Sequence, residues 1–174
     1  SDGKGGAPLG NIQMLGKISG EILRVTTPLP GPVAHWIAAR SFDFYAMSED
    51  LPNPESRVTL KDGQIQLDWK RSNYAAHQGL VAELKWRLKR AGCPIVLARA
   101  LDRRTPSHQC GTERMGADPE TSVVDTFCRS HDHPNLVICD ASVLPTSAAV
   151  NPALTIAALA LRSARHIAET EFTA

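Results

Sequence analysis

The stretch that most constrains how this chain can fold runs over residues 135–169. It opens with the apolar run NLVICD at 135–140, which ends in a carboxylate. A loop of small residues with one proline follows at 141–150, and Asn151-Pro152 then begins an alanine-rich helical stretch. A strand, a loop and a helix start in this order present backbone N–H groups and a helix N-terminus to a bound cofactor. The order therefore indicates a ligand site at the end of this strand.

The size and composition of the chain indicate a folded protein with a hydrophobic core. Its 174 residues accommodate one domain or parts of two, and hydrophobic residues make up 43% against 21% charged. The net charge of +1 gives no electrostatic case for nucleic acid or an acidic membrane as a partner. No apolar run approaches the roughly 20 residues of a membrane span, so we expect no membrane-spanning segment and a cytoplasmic protein.

The cysteines form neither a disulfide framework nor a metal-site pattern. No C-x-x-C pair occurs, and the chain is too long and core-rich for a disulfide scaffold, so free and mostly buried thiols are expected. A disulfide between two of them stays open as the alternative. The group C-x-x-H-x-H at 128–133 lacks the ligand spacing of structural zinc, and no metal site is expected. The four cysteines are Cys93, Cys110, Cys128 and Cys139.

The clearest local pattern is a β-hairpin over residues 57–70. Apolar and polar residues alternate on both sides of Lys61-Asp62-Gly63, and Asp-Gly between alternating runs is a strong hairpin signal. The apolar face is expected to be buried. Its members are Val58, Leu60, Ile65, Leu67 and Trp69.

A helix is predicted over residues 73–91 and a strand over 94–100. Ser72 or Asn73 can cap the helix, apolar residues recur on one side of it, and Gly92 is suited to end it. The run PIVLARA follows the glycine and predicts the strand. Together with the hairpin, these elements predict an antiparallel sheet with a helix on one face.

The segment before the hairpin carries weaker signals. Residues 11–27 are expected to be extended, and the three prolines between 28 and 32 are expected to bar a helix across them. Residues 33–39 suit a short strand or a helix turn, whereas Phe42–Met47 alternates as a strand does. The glycines of residues 1–10 do not predict a phosphate-binding loop, because such a loop lies between a strand and a helix of a βαβ unit.

Three sequence blocks resemble the C-terminal part of the glucose–methanol–choline (GMC) family of flavin oxidoreductases. Their order and spacing also fit that family. The blocks are HQCGTERMG at 108–116, NLVICDAS at 135–142 with Pro145-Thr146 after it, and NPALT at 151–155. Two upstream segments, GNIQMLGK at 10–17 and MSEDLP at 47–52, are similar more weakly.

The resemblance implies an α/β (α+β) fold built from parts of two domains. Residues 1–102 would belong to the substrate-binding part, with its antiparallel sheet and helix. Residues 103–174 would be the C-terminal segment of the FAD-binding domain and carry the catalytic residues. The dinucleotide-binding half of the family, with its Gly-rich phosphate loop, is not in this chain. A missing N-terminal half or a separate chain would therefore complete the flavin site.

The resemblance also implies a reaction, the oxidation of a small-molecule alcohol of the sugar or polyol type, with hydride passing to FAD. His108 matches the family's base for the substrate hydroxyl, and a neutral imidazole with a pKa near 7 suits that task. Asn151 matches a position that is His or Asn in the family and that hydrogen-bonds the substrate oxygen. From the residues alone, Asn151 also suits a helix N-cap and Pro152 the first helical position.

Further residues are implied to contact the cofactor. Asp140 and Ala141 match positions beside the ribityl and diphosphate groups of FAD, although Asp140 also suits a cap for the next turn. Asn151-Pro152 and the backbone N–H groups of Ala153 and Leu154 would place the start of a helix against the pyrimidine edge of the flavin, where the helix dipole stabilises negative charge. A non-catalytic binding module or accessory subunit that keeps the fold without flavin remains the alternative function.

Overall fold

The computed structural model describes residues 9–101 and 107–172, which form helices and small antiparallel sheets. This element content agrees with the α+β class expected from the sequence. None of the helices in these ranges is long and apolar enough to cross a membrane. The elements are β1 Asn11–Met14, α1 Gly20–Thr26, α2 Gly31–Arg40, β2 Phe44–Met47, β3 Arg57–Lys61, β4 Gln64–Asp68, α3 Tyr74–Arg90, a 3-10 helix Ala141–Val143, and α4 Ala153–Glu171.

Strands β1 and β2 pair antiparallel, which confirms the strand predicted over Phe42–Met47. The register runs from Asn11 opposite Met47 to Met14 opposite Phe44. Helix α3 packs on β2 and buries Leu80. The backbone approaches closely here, since a Cβ on Gly10 would lie 2.1 Å from the Met47 carbonyl oxygen and 2.9 Å from Leu80. Only glycine fits that position.

Two helices occupy the segment between β1 and β2, where the expectations were partly wrong. Residues 11–27 contain only the short strand β1, and residues 20–26 form α1, which Ser19 caps by accepting a hydrogen bond from the Ile22 N–H at 3.3 Å. As expected, no helix runs across the three prolines, because α1 ends at Thr26 and α2 begins only at Gly31. Pro30 is the N-cap of α2 and Pro32 lies in its first turn, where a helix has no use for the missing N–H.

The β3–β4 hairpin forms where it was predicted, but its apolar face is exposed. Asp62 and Gly63 have φ values of 51° and 76°, the left-handed conformation of a tight hairpin turn. The apolar cross-strand pairs share one face, and their side chains are 52–79% exposed. The prediction of a buried face was therefore wrong for the described residues. The pairs are Val58 opposite Leu67 and Leu60 opposite Ile65.

Helix α3 confirms the helix predicted over 73–91, whereas the strand predicted over 94–100 does not form. Asn73 is the N-cap residue, and Gly92, with φ of 92°, follows the C-cap. Residues 94–100 have no regular structure, and Ile95 and Leu97 are 78% and 84% exposed. A strand needs a neighbour for its backbone groups. None of the strands within the described ranges pairs with this segment.

The C-terminal part has a small hydrophobic core, and the backbone around this core is mostly irregular. Val124, Cys128 and Val143 are fully buried, and Leu159 of α4 packs against them. The strand predicted over 135–140 does not form, and only one isolated bridge, Val137 opposite Arg129, remains in its place. Helix α4 confirms the predicted alanine-rich helix. All four cysteines are free thiols, of which only Cys128 is fully buried and Cys139 is exposed.

Gly20→Ala should destabilise the protein by crowding α1 against α2. An added Cβ would lie 2.3 Å from a ring nitrogen of His35 and 2.7 Å from its Cα. Because the second contact is with backbone, a rotamer change cannot relieve it, and we expect the free energy of unfolding to fall by about 1–3 kcal/mol. Urea denaturation measures this loss. Gly16→Ala is the matched control, since nothing lies within 4 Å of its added Cβ. Equal midpoints for Gly20→Ala and the unmodified protein would contradict the close packing.

Candidate active site

A short backbone pairing joins the N-terminal sheet region to the loop after the 3-10 helix. The Asp50 N–H donates to the Ser147 carbonyl at 2.9 Å, and the Ser147 N–H donates back to the Asp50 carbonyl at 3.2 Å. Beside this pair, the Thr146 hydroxyl donates to the Glu49 carboxylate at 2.8 Å. Residues far apart in the chain are thereby fixed next to each other.

The start of helix α3 holds the same loop from the other side. The Ser72 hydroxyl accepts from the Leu51 N–H at 2.8 Å and donates to the Asp50 carboxylate. Instead of capping α3, the Asn73 side chain donates to the Glu49 carbonyl at 2.9 Å. Residues 49–51 thus lie between α3 and the loop at 146–147, with polar bonds to both.

His108 lies beside this pairing. Its carbonyl oxygen accepts from the Ser147 hydroxyl at 3.3 Å, and the residue is partly buried. Its φ of 55° is uncommon for a residue other than glycine, and such conformations occur often at functional sites. Among the residues that the structure describes, none hydrogen-bonds the imidazole ring.

The segment after His108 runs along the 3-10 helix. The N–H groups of Gly111 and Glu113 both donate to the Ser142 carbonyl, at 3.0 and 3.1 Å, and the Met115 N–H donates to Val143 at 2.9 Å. Gly111 has φ of 84°, so a side chain there would be strained. These bonds fix where the chain leaves His108.

Asn151 is not the N-cap of α4, contrary to the expectation from sequence. Pro152 is the N-cap, its carbonyl accepts from the Ile156 N–H at 2.9 Å, and no side chain caps the helix. The prediction was one residue off, although Pro152 itself has helical dihedral angles, φ of −86° and ψ of −9°. The Asn151 amide instead donates from Nδ2 to Oε1 of Gln13 at 3.4 Å.

Asp140 caps the 3-10 helix, which is the alternative that the sequence left open. Its Oδ1 atom accepts from the Ser142 N–H at 2.8 Å and from the Ser142 hydroxyl. These hydrogen bonds lower the pKa of the Asp140 carboxyl, and the bond from the Ser142 hydroxyl has the larger effect. Ala141 is the first residue of this helix and is partly buried. The cofactor contacts of both residues stay predictions.

The start of α4 fits an electron-rich group of a cofactor. Because the N-cap makes no side-chain hydrogen bond, the first N–H groups of this 19-residue helix are not used by a cap. Ala153 and Leu154 are both exposed there. Unused N–H groups and the positive end of the helix dipole favour an anionic ligand or a carbonyl oxygen. The residues present are therefore compatible with the flavin edge expected from the sequence.

The His- and Cys-containing loop is built from structural contacts. In the described residues, no three His, Cys, Asp or Glu side chains gather as metal ligands. Nε2 of His131 lies 3.1 Å from the Ser122 hydroxyl and 3.2 Å from the Gly116 carbonyl. Asp125 accepts from two backbone N–H groups, at 2.7 and 2.9 Å, and Arg114 donates to the Thr121 carbonyl at 2.6 Å. Asp125 and Arg114 therefore make structural polar contacts within this loop.

Sequence reasoning missed the residues that contact the two candidate catalytic residues. Ser147 contacts the His108 carbonyl and Gln13 contacts the Asn151 amide, with no hydrogen bond between the His108 and Asn151 side chains themselves. The signal was present, because Gln13 lies in the segment at 10–17 and the partner of Ser147 in the segment at 47–52. Both segments had shown a weak family resemblance.

Comparison with known proteins assigns the family. Residues 52–160, more than half of the chain, match the C-terminal family model described as GMC oxidoreductase. The chain therefore belongs to the GMC oxidoreductase family, and the resemblance noted in the sequence is confirmed.

Individual relatives act on alcohols and sugars according to their names. The chain is 32% identical over 141 residues to the fructose dehydrogenase large subunit of Gluconobacter japonicus, covering 72% of this chain and 25% of the relative. It is 35% identical over 138 residues to 2-methyl-1,2-propanediol dehydrogenase of Mycolicibacterium austroafricanum, covering 71% and 24%. A shorter match, 40% over 63 residues, is to the gluconate 2-dehydrogenase flavoprotein of Pantoea cypripedii, covering 36% and 10%. The chain spans about a quarter of the length of the first two relatives.

The thiol of Cys110, two residues after His108, should resist alkylation near neutral pH. Burial raises the pKa of this thiol, the Asp50 carboxylate adds to the rise, and a hydrogen bond with Ser147 partly opposes it. Because the thiolate is the nucleophile, iodoacetamide should modify Cys110 at a higher pH in the folded protein than in urea. Timed alkylation from pH 7 to 10 with peptide mass mapping gives both profiles. Coincident profiles would show that Cys110 is not shielded.

Proposed function

We propose that the protein carrying this chain oxidises the CH–OH group of a small-molecule alcohol of the sugar or polyol type with FAD as cofactor. The family match over residues 52–160 carries this proposal, because that range contains His108, Asp140 and Asn151. The names of the relatives support it, since they include a fructose dehydrogenase, a diol dehydrogenase and a flavoprotein.

His108 acts as the base in this proposal. A hydroxyl must lose its proton as the carbon it is attached to is oxidised, and an imidazole is suited to accept a proton near neutral pH. Two features favour His108 for this task. Its ring has no hydrogen-bond partner among the described residues, and its backbone is held by Ser147 in a left-handed conformation.

Asn151 stabilises the substrate oxygen. Its amide does not titrate in the useful range, so it cannot replace the base, but its N–H groups can donate to an oxygen that becomes negative. Because Pro152 serves as the N-cap of α4, the Asn151 side chain is not used by the helix. This freedom supports a role toward substrate.

Six residues would hold the cofactor. FAD, when bound, accepts the hydride from the substrate carbon. The uncapped start of α4 would stabilise negative charge at the flavin, and the Asp140 carboxylate beside the 3-10 helix would accept hydrogen bonds from the ribityl hydroxyls, next to the diphosphate. We place the substrate-binding part in residues 1–102 and the flavin-binding part in 103–174, with polypeptide outside this chain supplying the dinucleotide-binding half. The six residues are Asp140, Ala141, Asn151, Pro152, Ala153 and Leu154.

The roles of the two catalytic residues predict different losses of activity in the complete protein. His108→Ala should slow flavin reduction by roughly 10²- to 10⁴-fold with FAD retained, as for the loss of a base. Asn151→Ala should cost about 10- to 100-fold, because one hydrogen bond to developing charge is lost. Asn151→His should keep substantial activity. Anaerobic single-turnover reduction by an alcohol substrate measures the chemical step alone.

Two outcomes would count against this assignment. Purified complete protein without stoichiometric flavin would favour the non-catalytic module instead. If His108→Ala reduces its flavin at the unmodified rate while Asn151→Ala does not, the two roles are exchanged.

Replacing Asp140 tests the cofactor contact separately from catalysis. Asp140→Ala in the complete protein should weaken FAD retention by about 1–3 kcal/mol, with little change in the substrate KM, because a hydrogen-bond partner of the cofactor is lost. Ser142→Ala is the control, since it removes a local bond to Asp140 and leaves the carboxylate in place. Flavin absorbance after dialysis gives the occupancy. Equal occupancy in Asp140→Ala and unmodified protein would reduce Asp140 to its capping role.

A further inference from the structure

Gln13 occupies a fixed position in the sheet. It lies opposite Tyr45 in the β1–β2 ladder and is partly buried. The pairing continues past the strand, where the Leu15 N–H donates to the Asp43 carbonyl at 2.9 Å and the Ile18 N–H donates to the Asp43 carboxylate at 2.8 Å. A side chain on such a strand is held more accurately than one on a loop.

The side chain of Gln13 contacts a candidate catalytic group across 138 residues of chain. Its Oε1 atom accepts from Nδ2 of Asn151 at 3.4 Å. An Asn amide has two N–H donors and one carbonyl acceptor, and its two ends are interchangeable unless a neighbour distinguishes them. The Oε1 acceptor of Gln13 makes that distinction at Nδ2, and the second N–H of Asn151 has no hydrogen-bond partner within the described residues.

We propose that Gln13 is a positioning residue, which holds the Asn151 amide with its second N–H toward the substrate oxygen. The inference rests on the proposed alcohol oxidation. Gln13 does not touch the reacting atoms and acts only through Asn151. A neutral acceptor suits this place, because a carboxylate would add negative charge beside an oxygen that itself becomes negative.

The Gln13 side chain can be changed without loss of the β1–β2 ladder, so a positioning role can be separated from a purely structural one. The β1–β2 ladder uses backbone groups, so exchange of the Gln13 amide for an apolar side chain of similar length leaves the ladder bonds in place. Gln13→Met makes this exchange. Gln66→Met is the matched control, since Gln66 also lies in an antiparallel strand, opposite Thr59, and is exposed.

A double-mutant cycle in the complete, FAD-loaded protein tests the proposal. The rates of anaerobic flavin reduction are compared for unmodified protein, Gln13→Met, Asn151→Ala and the double variant. Gln13→Met should slow reduction roughly 3- to 10-fold, as for a lost neutral hydrogen bond, with unchanged Tm and flavin content. In the Asn151→Ala background the same change should have no effect, because the amide it orients is gone. Gln66→Met should react at the unmodified rate.

Failure of the positioning role and failure of the proposed function give different results in this experiment. An equal slowing by Gln13→Met in both backgrounds overturns the positioning role, as does an unchanged rate or a loss of flavin that accounts for the slowing. If none of the alcohols or sugars tested reduces the flavin of the unmodified, FAD-loaded protein, the proposed function fails, and the inference fails with it.

Discussion

The arrangement of the candidate site depends on the backbone pairing between Asp50 and Ser147. Two hydrogen bonds there join a loop that follows β2 to a loop that precedes α4. The Ser147 hydroxyl extends the contact to the His108 carbonyl, and Ser72 extends it to the start of α3. These hydrogen bonds fix the positions of His108 and of the loop that precedes α4 relative to each other, although neither lies in a regular sheet.

The C-terminal part relies on single bridges and turns more than on ladders. Val124 takes part in two isolated bridges, and Cys128, with φ of 66°, is fully buried beside it. The Asp125 carboxylate accepts hydrogen bonds from the backbone N–H groups of Phe127 and Arg129. Irregular backbone of this kind is stable only where its polar groups are satisfied locally. The three fully buried core residues and the Asp125 turn thus support the loop that presents His108.

Apolar periodicity predicted where secondary-structure elements form better than it predicted which of their faces are buried. The alternation on both sides of Asp62-Gly63 correctly gave a hairpin, since turn geometry and register are set by neighbouring residues. It also predicted a buried face, which is exposed within the described ranges. A period identifies which side chains share a face, but what covers that face is a property of other segments. The same limit explains residues 94–100, which have a β-like composition but pair with none of the strands in the described ranges.

The sequence by itself determined several local elements and the family. Gly92 and the 3.6-residue period located α3, the alanine-rich run located α4, and the three blocks at 108–155 identified a GMC oxidoreductase. Tertiary structure decided the partners: Pro152 rather than Asn151 caps α4, Asp140 caps the 3-10 helix, and Gln13 binds the Asn151 amide. Caps and turns depend on residues a few positions apart and can be inferred from a pattern to within about a residue. A contact across 138 residues depends on how the whole chain folds, and no local pattern specifies it.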